Sequence, residues 1–204
     1  MIYRLGLLTV LPLLTATAQS TVTLSAPVLN VRPGQTAALN VAFSTSNAAA
    51  MQWTAVMPAG WTATAIPGSR AVAAGKQVAC NPSNGVCLVY GMNATAMQAG
   101  EVAVYTVTVP ATAAAGNYPI QIASPVAVGV TGAVIPTTAG PLVTLRVLSR
   151  NDLNSDGAVD VADVSLAVDQ ARGITACGSA DINGSGGCDI VDVFVLVLAV
   201  LAGG

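Results

Sequence analysis

The sequence predicts a mainly β protein: an antiparallel β-sandwich followed by a small C-terminal helical module. Up to about residue 150, short runs rich in Val, Thr and Ala alternate with Gly, Pro and Asn, which is typical of strands and turns. After residue 150 come two similar acidic loops, each followed by an apolar stretch. The charges divide at the same place. Residues 1–150 carry six basic side chains and one acidic one, a net +5, whereas residues 151–204 carry one basic and eight acidic ones, a net −7.

Residues 1–18 have the features of a secretory signal peptide. Arg4 gives a positively charged n-region, residues 5–14 form a short apolar run, and Ala-Thr-Ala at 16–18 is a small-x-small cleavage site. The alternative is an N-terminal membrane anchor, but the run is shorter than the roughly 20 residues that span a bilayer. We therefore expect export to the bacterial cell exterior, with no transmembrane segment after signal cleavage.

Residues 19–149 are predicted to form the sandwich. Several segments alternate between apolar and polar residues, as 102–109 does, so that two faces can be assigned. Nine strands at a spacing of 8–14 residues favour two sheets packed face to face. The strands are predicted at 21–25, 35–43, 51–57, 62–66, 71–78, 86–90, 102–109, 118–122 and 142–147.

The composition argues against several functions. The chain has no histidine, which excludes a Ser-His-Asp triad, a Cys-His pair and an imidazole metal site. Glu101 is the single carboxyl side chain before residue 150, which argues against a two-carboxylate glycosidase there. The few basic residues are scattered and only 4% of residues are aromatic, so nucleic-acid binding is not expected. We see no catalytic constellation and predict a non-enzyme.

The four cysteines are expected to form two disulfides, because an exported chain meets an oxidising compartment. Three pairings are possible, and closeness along the chain favours Cys80 with Cys87 and Cys177 with Cys188. The turn-forming residues at 81–85 would place the first bridge across a hairpin loop. Free buried thiols are the alternative.

The first segment resembles a cohesin domain over most of residues 25–148. The likeness lies in Arg-Pro-Gly-Gln at 32–35, Met-Gln-Trp-Thr-Ala at 51–55, Ala-Gly-Glu-Val-Ala at 99–103 leading into Tyr-Thr-Val at 105–107, and Ala-Gly-Asn-Tyr-Pro-Ile at 115–120. The resemblance implies a jelly-roll sandwich whose flat sheet face receives a partner helix pair. The same pattern also suits related carbohydrate-binding modules. In that case Trp53, Trp61, Tyr90, Tyr105 and Tyr118 could stack on sugars, although core packing is the simpler role for them.

The second segment contains two twelve-residue loops, 152–163 and 181–192, that repeat with an offset of 29 residues. Both carry oxygen side chains at positions 1, 3 and 5, Gly at position 6 and a carboxylate at position 12, which is calcium-loop spacing. The two loops hold seven of the nine acidic residues. Acidic turns without metal are the alternative, but carboxylates so close together would repel one another. The loops therefore predict two Ca²⁺ sites.

Each loop is followed, and not preceded, by a helix, and this duplication with Asp at position 12 closely resembles a dockerin domain over residues 151–202. The resemblance implies calcium coordination by Asp152, Asn154, Asp156, Ala158, Asp160 and Asp163 in loop one, and by Asp181, Asn183, Ser185, Gly187, Asp189 and Asp192 in loop two. Ser185 stands where an Asp is usual, so loop two has one directly coordinating carboxylate fewer. We expect it to bind calcium more weakly.

The helices are expected to dock through apolar residues. Positions 10 and 11 of the loops are apolar, whereas many cellulosomal dockerins have Ser or Thr there. In the last helix we predict a core face of Ile190, Val193, Phe194, Val197, Leu198 and Leu201. The predicted partner surface comprises Val161, Ala162, Ile190, Val191, Val195 and Leu196. A surface helix with apolar residues on its remaining sides requires a protein cover.

These observations predict a secreted, non-catalytic, calcium-binding assembly or adhesion protein, with modules 19–149 and 150–204. Its expected partner is a protein that bears a cohesin or a dockerin, engaged in cis or in trans, and the short linker favours contact with its own sandwich near the junction. A role in extracellular polysaccharide degradation follows from the resemblance. Polysaccharide binding by the sandwich is the alternative function.

Overall fold

The computed structural model describes residues 19–203. The predicted signal peptide, residues 1–18, lies outside this range. The described chain forms strands β1 (Ser20–Ser25), β2 (Asn30–Val31), β3 (Thr36–Phe43), β4 (Ala48–Val56) and β5 (Thr62–Pro67), helix α1 (Ser69–Ala73), strands β6 (Gln77–Cys80), β7 (Val86–Tyr90), β8 (Gly100–Thr108), β9 (Gly116–Gly129), β10 (Val134–Ile135), β11 (Thr137–Ala139) and β12 (Val143–Val147), and helices α2 (Val161–Ala171) and α3 (Ile190–Leu201).

The strands form the two sheets of a sandwich. One sheet has the order β11-β1-β3-β8-β5, and the other has the order β2-β12-β9-β4-β7-β6, with β10 paired to β9. Most pairs are antiparallel, as predicted, but β1 with β11 and β2 with β12 run parallel, so both sheets are mixed. Strands in a parallel pair cannot be joined by a tight turn, and each of these pairs joins segments more than a hundred residues apart. Local sequence patterns therefore could not predict them.

The sandwich core is built on large side chains from both sheets. Trp53 of β4 is fully buried, and its indole Nε1 donates a hydrogen bond to the hydroxyl oxygen of Tyr105 of β8 at 2.5 Å. The two rings meet edge to face, with centroids 6.4 Å apart. Phe43, Leu39 and Leu145 are buried in the same cluster. The indole N–H thus has a partner inside an otherwise apolar core, as a buried donor requires.

Two predicted strands differ from the structure. Residues 71–78 were predicted as one strand, but helix α1 occupies the first part and β6 begins only at Gln77. The run of alanines favours a helical turn, and Gly75, at φ +65°, ends it. Strand β9 is much longer than the predicted 118–122, because the chain passes Ser124 and Pro125 in a bulge. A bulge does not need the N–H that Pro lacks.

The C-terminal module has its own small core. Helices α2 and α3 pack against each other over a cluster of buried residues, namely Leu153, Ala167, Ala180, Val193 and Leu196. As predicted, each acidic loop is followed by a helix, and a strand, β12, is the last element before the first loop. In the described part of the chain, no helix is long and apolar enough to cross a membrane.

The structure contains both predicted disulfides. Cys80 and Cys87 are directly paired across β6 and β7, with 4.0 Å between their Cα atoms, so this bridge closes the predicted hairpin. Cys177 and Cys188 join the segment after α2 to the second acidic loop, with 5.4 Å between their Cα atoms. Each module therefore carries one covalent cross-link of its own.

Candidate functional site

The two acidic loops have the same local geometry at position 12. Asp163 and Asp192 are both buried in the first turn of the helix that follows their loop. In loop one, Asp163 Oδ1 accepts the backbone N–H groups of Leu153 and Asn154, at 2.7 and 3.0 Å, and its Oδ2 accepts the N–H of Asp160 at 3.0 Å. The equivalent three bonds recur around Asp192. These aspartates close the loops by binding the backbone.

Position 9 of each loop begins the next helix. Asp160 is the N-cap of α2, and its carboxylate accepts the N–H of Ala162 at 2.8 Å. Asp189 caps α3 in the same way, through the N–H of Val191 at 2.7 Å. With the position 12 carboxylate bound to the N-cap N–H, each loop ends in a capping box. We predicted these residues as metal ligands only, although the Asp-x-x-Asp spacing also indicates this cap.

The two loops differ at position 1. Asp152 is buried, and its Oδ2 accepts the N–H of Gly157 at 3.0 Å. Its Oδ1 is the buried side-chain polar atom that has no hydrogen-bond partner in the described residues. In loop two both oxygens of Asp181 accept backbone N–H groups, from Ser185 and Gly186. A buried carboxylate oxygen without a partner costs free energy, so loop one has a place for a cation or a water molecule.

The residues at positions 3, 5 and 7 form hydrogen bonds within their own loop. In loop one, Asp156 Oδ1 accepts the N–H of Ala158 at 2.8 Å, and its Oδ2 accepts the side-chain amide of Asn154 at 2.8 Å. These bonds, together with the nearby charge of Arg146, hold the pKa of Asp156 below its ordinary value. In loop two the Ser185 hydroxyl instead donates to the Gly187 carbonyl at 3.2 Å. Loop two thus has one carboxylate fewer than loop one. In addition, the Gly187 carbonyl, a predicted calcium ligand, already accepts a hydrogen bond from Ser185.

The loops as they stand are held by hydrogen bonds. Burial raises the pKa of Asp192, but the N–H groups of Asn183, Asp189 and Ile182 outweigh it and leave the pKa below its ordinary value. Among residues 19–203, no group of three or more Asp, Glu, Cys or His side chains is gathered into a metal cage. The predicted donors also include Asn, Ser and backbone carbonyls, and calcium coordination stays a prediction.

The predicted faces of α3 were wrong in part. Val193 and Val197 contact the module core as predicted, but Ile190, Phe194, Leu198 and Leu201 are exposed. Leu196, which was predicted to face a partner, is fully buried. Of the predicted partner surface, the exposed members are Val161, Ala162, Ile190, Val191 and Val195. Because α3 is apolar on every side, its sequence could not indicate which side would meet α2.

A second apolar surface lies on the larger sheet. The residues of β4, β6, β7 and β9 include no charged side chain. On the outer face of these strands, Leu88 and Val126 are 42% and 43% exposed. They border a shallow depression that is also lined by Ala50, Gln52 and Val128. We had predicted a flat docking face from the family resemblance alone, without naming its residues.

The aromatic residues do not form a sugar-binding platform. Trp53, Trp61 and Tyr105 are buried, and Tyr118 is half-buried against Trp61, with ring centroids 5.1 Å apart. Tyr90 is the one exposed member of the five. The core role that we considered simpler is therefore the observed one for most of this set.

Comparison with known proteins identifies the fold of the sandwich. No family model matches the chain, and no curated protein matches its sequence. Among solved structures, the chain is similar to a non-cellulosomal cohesin from Archaeoglobus fulgidus, with 11% identity and a TM-score of 0.52 over 67% of this chain and 96% of that chain. It is also similar to the third ScaB cohesin of R. flavefaciens, solved in complex with a group 1 dockerin, with 15% identity and a TM-score of 0.51 over 65% of this chain and 99% of that chain.

A third similar structure is a type I cohesin–dockerin complex from Clostridium thermocellum. The identity is 9% and the TM-score is 0.52, over 64% of this chain and 99% of that chain. At these identities the likeness concerns the fold alone. The β-sandwich is therefore cohesin-like in fold, and the dockerin resemblance of residues 151–202 stays a prediction.

Proposed function

We propose that this protein is a secreted, non-catalytic docking protein, in which the uncharged outer face of strands β4, β6, β7 and β9 receives an apolar helix pair. The observation that carries the proposal is that face itself, with Leu88 and Val126 exposed beside a shallow depression. Exposed apolar patches of this kind mark protein interaction sites. Two of the similar cohesin structures were solved in complex with dockerins, which supports a helical partner.

The surface is suited to a dry contact. No residue of β4, β6, β7 or β9 is charged, so covering the face leaves no unpaired charge buried. Gln52 offers a polar group at the edge of the depression. Such a surface binds through apolar area and shape, with few directional bonds.

The chain also displays a candidate for the complementary surface. On α3, Phe194 and Leu198 are 62% and 51% exposed, and the single charged residue of the helix, Asp192, is buried. Neither the sheet face nor this helix face is covered within the described chain. Docking is therefore proposed in trans, with the helix face of one copy of this chain on the sheet face of a second copy.

Calcium is proposed to order the helix pair. The ligands would be the oxygens at positions 1, 3, 5, 7, 9 and 12 of each loop, and the unpartnered Asp152 Oδ1 supports a cation in loop one. A bound Ca²⁺ supplies positive charge that lets these carboxylates lie close together. The chain contributes the closed loop shape, because Asp163 and Asp192 already bind the backbone on both sides of their loops. The two disulfides support an extracellular setting.

The experiment is sedimentation velocity of the full chain in Ca²⁺, alone and as mixed variants. We expect concentration-dependent association that is lost in the sheet variant Val126→Asp and in the helix variant Leu198→Asp. Mixing these two variants should restore one contact and yield a dimer, because each retains the surface that the other lacks. Thr106→Asp, on an exposed position of the smaller sheet, is the control. A monomeric wild type that neither variant alters contradicts the proposal.

A further inference from the structure

We propose that Arg32 and Arg146 of the sandwich clamp the first acidic loop, so that calcium binding there and the fixed orientation of the two modules are one linked event. The inference rests on the calcium sites of the proposed function. It concerns residues that lie outside the loop and far from it in sequence. Neither arginine belongs to the predicted ligand set.

The contacts of the clamp are hydrogen bonds to the loop. Arg32 Nη2 donates to the backbone carbonyl of Asp152, and it also donates to the hydroxyl oxygen of Ser155 at 2.9 Å. Arg146 Nη2 donates to the backbone carbonyl of Gly157 at 2.8 Å. The two arginines thus hold positions 1, 4 and 6 of the loop. Both donate to carbonyl or hydroxyl oxygens and not to a carboxylate, so Asp152 Oδ1 stays open to a cation.

The glycine of the loop makes room for this contact. Gly157 has φ +93°, and a Cβ at this residue would fall on the guanidinium of Arg146. Gly186, the equivalent residue of loop two, has nearly the same φ, +92°, with nothing within 4 Å of its Cβ position. The turn alone explains a glycine at both positions. In loop one, a Cβ would in addition displace the guanidinium of Arg146, the far end of a flexible side chain, from its contact with the loop.

The clamp and the candidate cation site share a residue. The carbonyl of Asp152 accepts from Arg32, while the carboxylate of Asp152 has its free oxygen, Oδ1, in the loop. Through Oδ2, the same carboxylate binds the N–H of Gly157, whose carbonyl accepts from Arg146. A cation at Oδ1 and the two arginines therefore stabilise the same closed arrangement of these residues. By thermodynamic linkage, each strengthens the other by the same factor.

Loop two lacks this support in the described residues. Asp181 shares a cleft with Arg32 and Arg150, but the guanidinium of Arg150 donates to the carbonyl of Ala111 in the sandwich. The clamp thus distinguishes the loops, and it orients the helical module through loop one.

A positioning role and a simple charge effect predict opposite results. Arg32 and Arg146 are cations, so by charge alone their removal should tighten Ca²⁺ binding. If they position the loop, their removal should weaken it. The full chain is therefore compared with the double variant Arg32→Met, Arg146→Met. If the double variant does not fold, each single variant is measured in its place. The control is Arg172→Met, which removes one charge at an exposed position of the module.

Calorimetric Ca²⁺ titration and small-angle X-ray scattering are measured on each protein. The wild type is expected to bind two ions and to become more compact in Ca²⁺ than in EGTA. The double variant is expected to keep both sites, to bind one ion about tenfold more weakly, and to be less compact in Ca²⁺ than the wild type is in Ca²⁺. Arg172→Met is expected to match the wild type in both measurements.

Unchanged or tighter binding in the double variant, with wild-type compaction, overturns the clamp and leaves the calcium sites standing. A wild type that binds no Ca²⁺ overturns the sites as well. The two failures are thus distinguished by the wild-type titration.

Discussion

Several aspartates of the two acidic loops stabilise the backbone, in addition to their predicted role as calcium ligands. Asp163 and Asp192 each accept three backbone N–H groups, and Asp160 and Asp189 cap the helices that follow. The spacing of a calcium loop and that of a capping box coincide here, because the last ligand position is the third residue of the helix. Replacing such a residue therefore affects loop shape and metal binding together.

The difference between the loops at position 5 is open to test through Ser185. Ser185→Asp should tighten Ca²⁺ binding at loop two by about tenfold, because it adds a coordinating carboxylate and frees the Gly187 carbonyl. Calcium titration of the full chain measures the change. Ser179→Asp adds the same charge nearby but outside the ligand positions, and it should have little effect. Equal gains from both variants would show that general charge, and not coordination, governs the affinity.

Tyr105 makes the stability of the sandwich sensitive to alkaline pH. Burial raises the pKa of Tyr105 above its ordinary value, although the hydrogen bond from Trp53 partly opposes this shift. An unfolded tyrosine ionises near pH 10, whereas the folded one keeps its proton, so its contribution to the free energy of unfolding declines as pH rises above about 10.

Tyr105→Phe should remove this contribution to the alkaline decline. At neutral pH it should lower the free energy of unfolding by about 1–2 kcal/mol, because the Trp53 N–H loses its partner. Urea unfolding at pH 8 and pH 11, followed by tryptophan fluorescence, measures both effects. Tyr90→Phe is the control, because that side chain is exposed. An alkaline decline of the same size in Tyr105→Phe and the wild type would contradict the assignment.

At the scale of elements, prediction succeeded where the sequence has a clear period. Strand β8 alternates between apolar and polar residues and lies close to its predicted range, and β7 lies at its predicted 86–90. The segment 71–78 contains both a run of alanines and an alternating strand pattern. The alanine run lies in and directly after α1, and only the end of the segment belongs to a strand. Helix α3 has almost no polar residue, so its own sequence does not define an inner side. Packing against α2 determines that side.

Variants of two leucines of α3, Leu196 and Leu198, distinguish core packing from docking. Leu196 is fully buried and Leu198 is 51% exposed. Leu196→Ala should destabilise the module by about 2–4 kcal/mol, because it opens a cavity in a small core. Leu198→Ala should change stability by less than about 0.5 kcal/mol and weaken association of the full chain. Thermal unfolding by circular dichroism at 222 nm and sedimentation velocity measure the two effects, and a reversed order would refute the observed helix face.

At the scale of the whole molecule, the two modules differ in what holds them together. The sandwich has a large two-sheet core, whereas the described part of the C-terminal module has five buried apolar residues and one disulfide. Small cores of this kind usually depend on a metal or a disulfide. Two bound Ca²⁺ ions would also change the net charge of residues 151–204 from −7 to −3.

Calcium removal should therefore affect the modules unequally. In EDTA we expect loss of helical circular dichroism and rapid proteolysis within residues 150–203, because without the ions the repulsion between the carboxylates of each loop outweighs the hydrogen bonds that shape it. Both tryptophans lie in the sandwich, so their fluorescence should remain that of the folded protein. Unchanged helical signal and protease resistance in EDTA would contradict a structural role for calcium.

Features that are local in the chain were predictable from the sequence: most strands, the helix after each acidic loop and both disulfides. Each depends on residues a few positions apart, where periodicity, turn residues and ligand spacing act directly. Other features depend on the path of the whole chain, such as the parallel pairs of β1 with β11 and β2 with β12, and the inner side of α3. Arg32 and the loop residue it holds, Asp152, are 120 positions apart. Only the packing of the sandwich against the loop brings them together, so a contact of this kind leaves no local signal in the sequence.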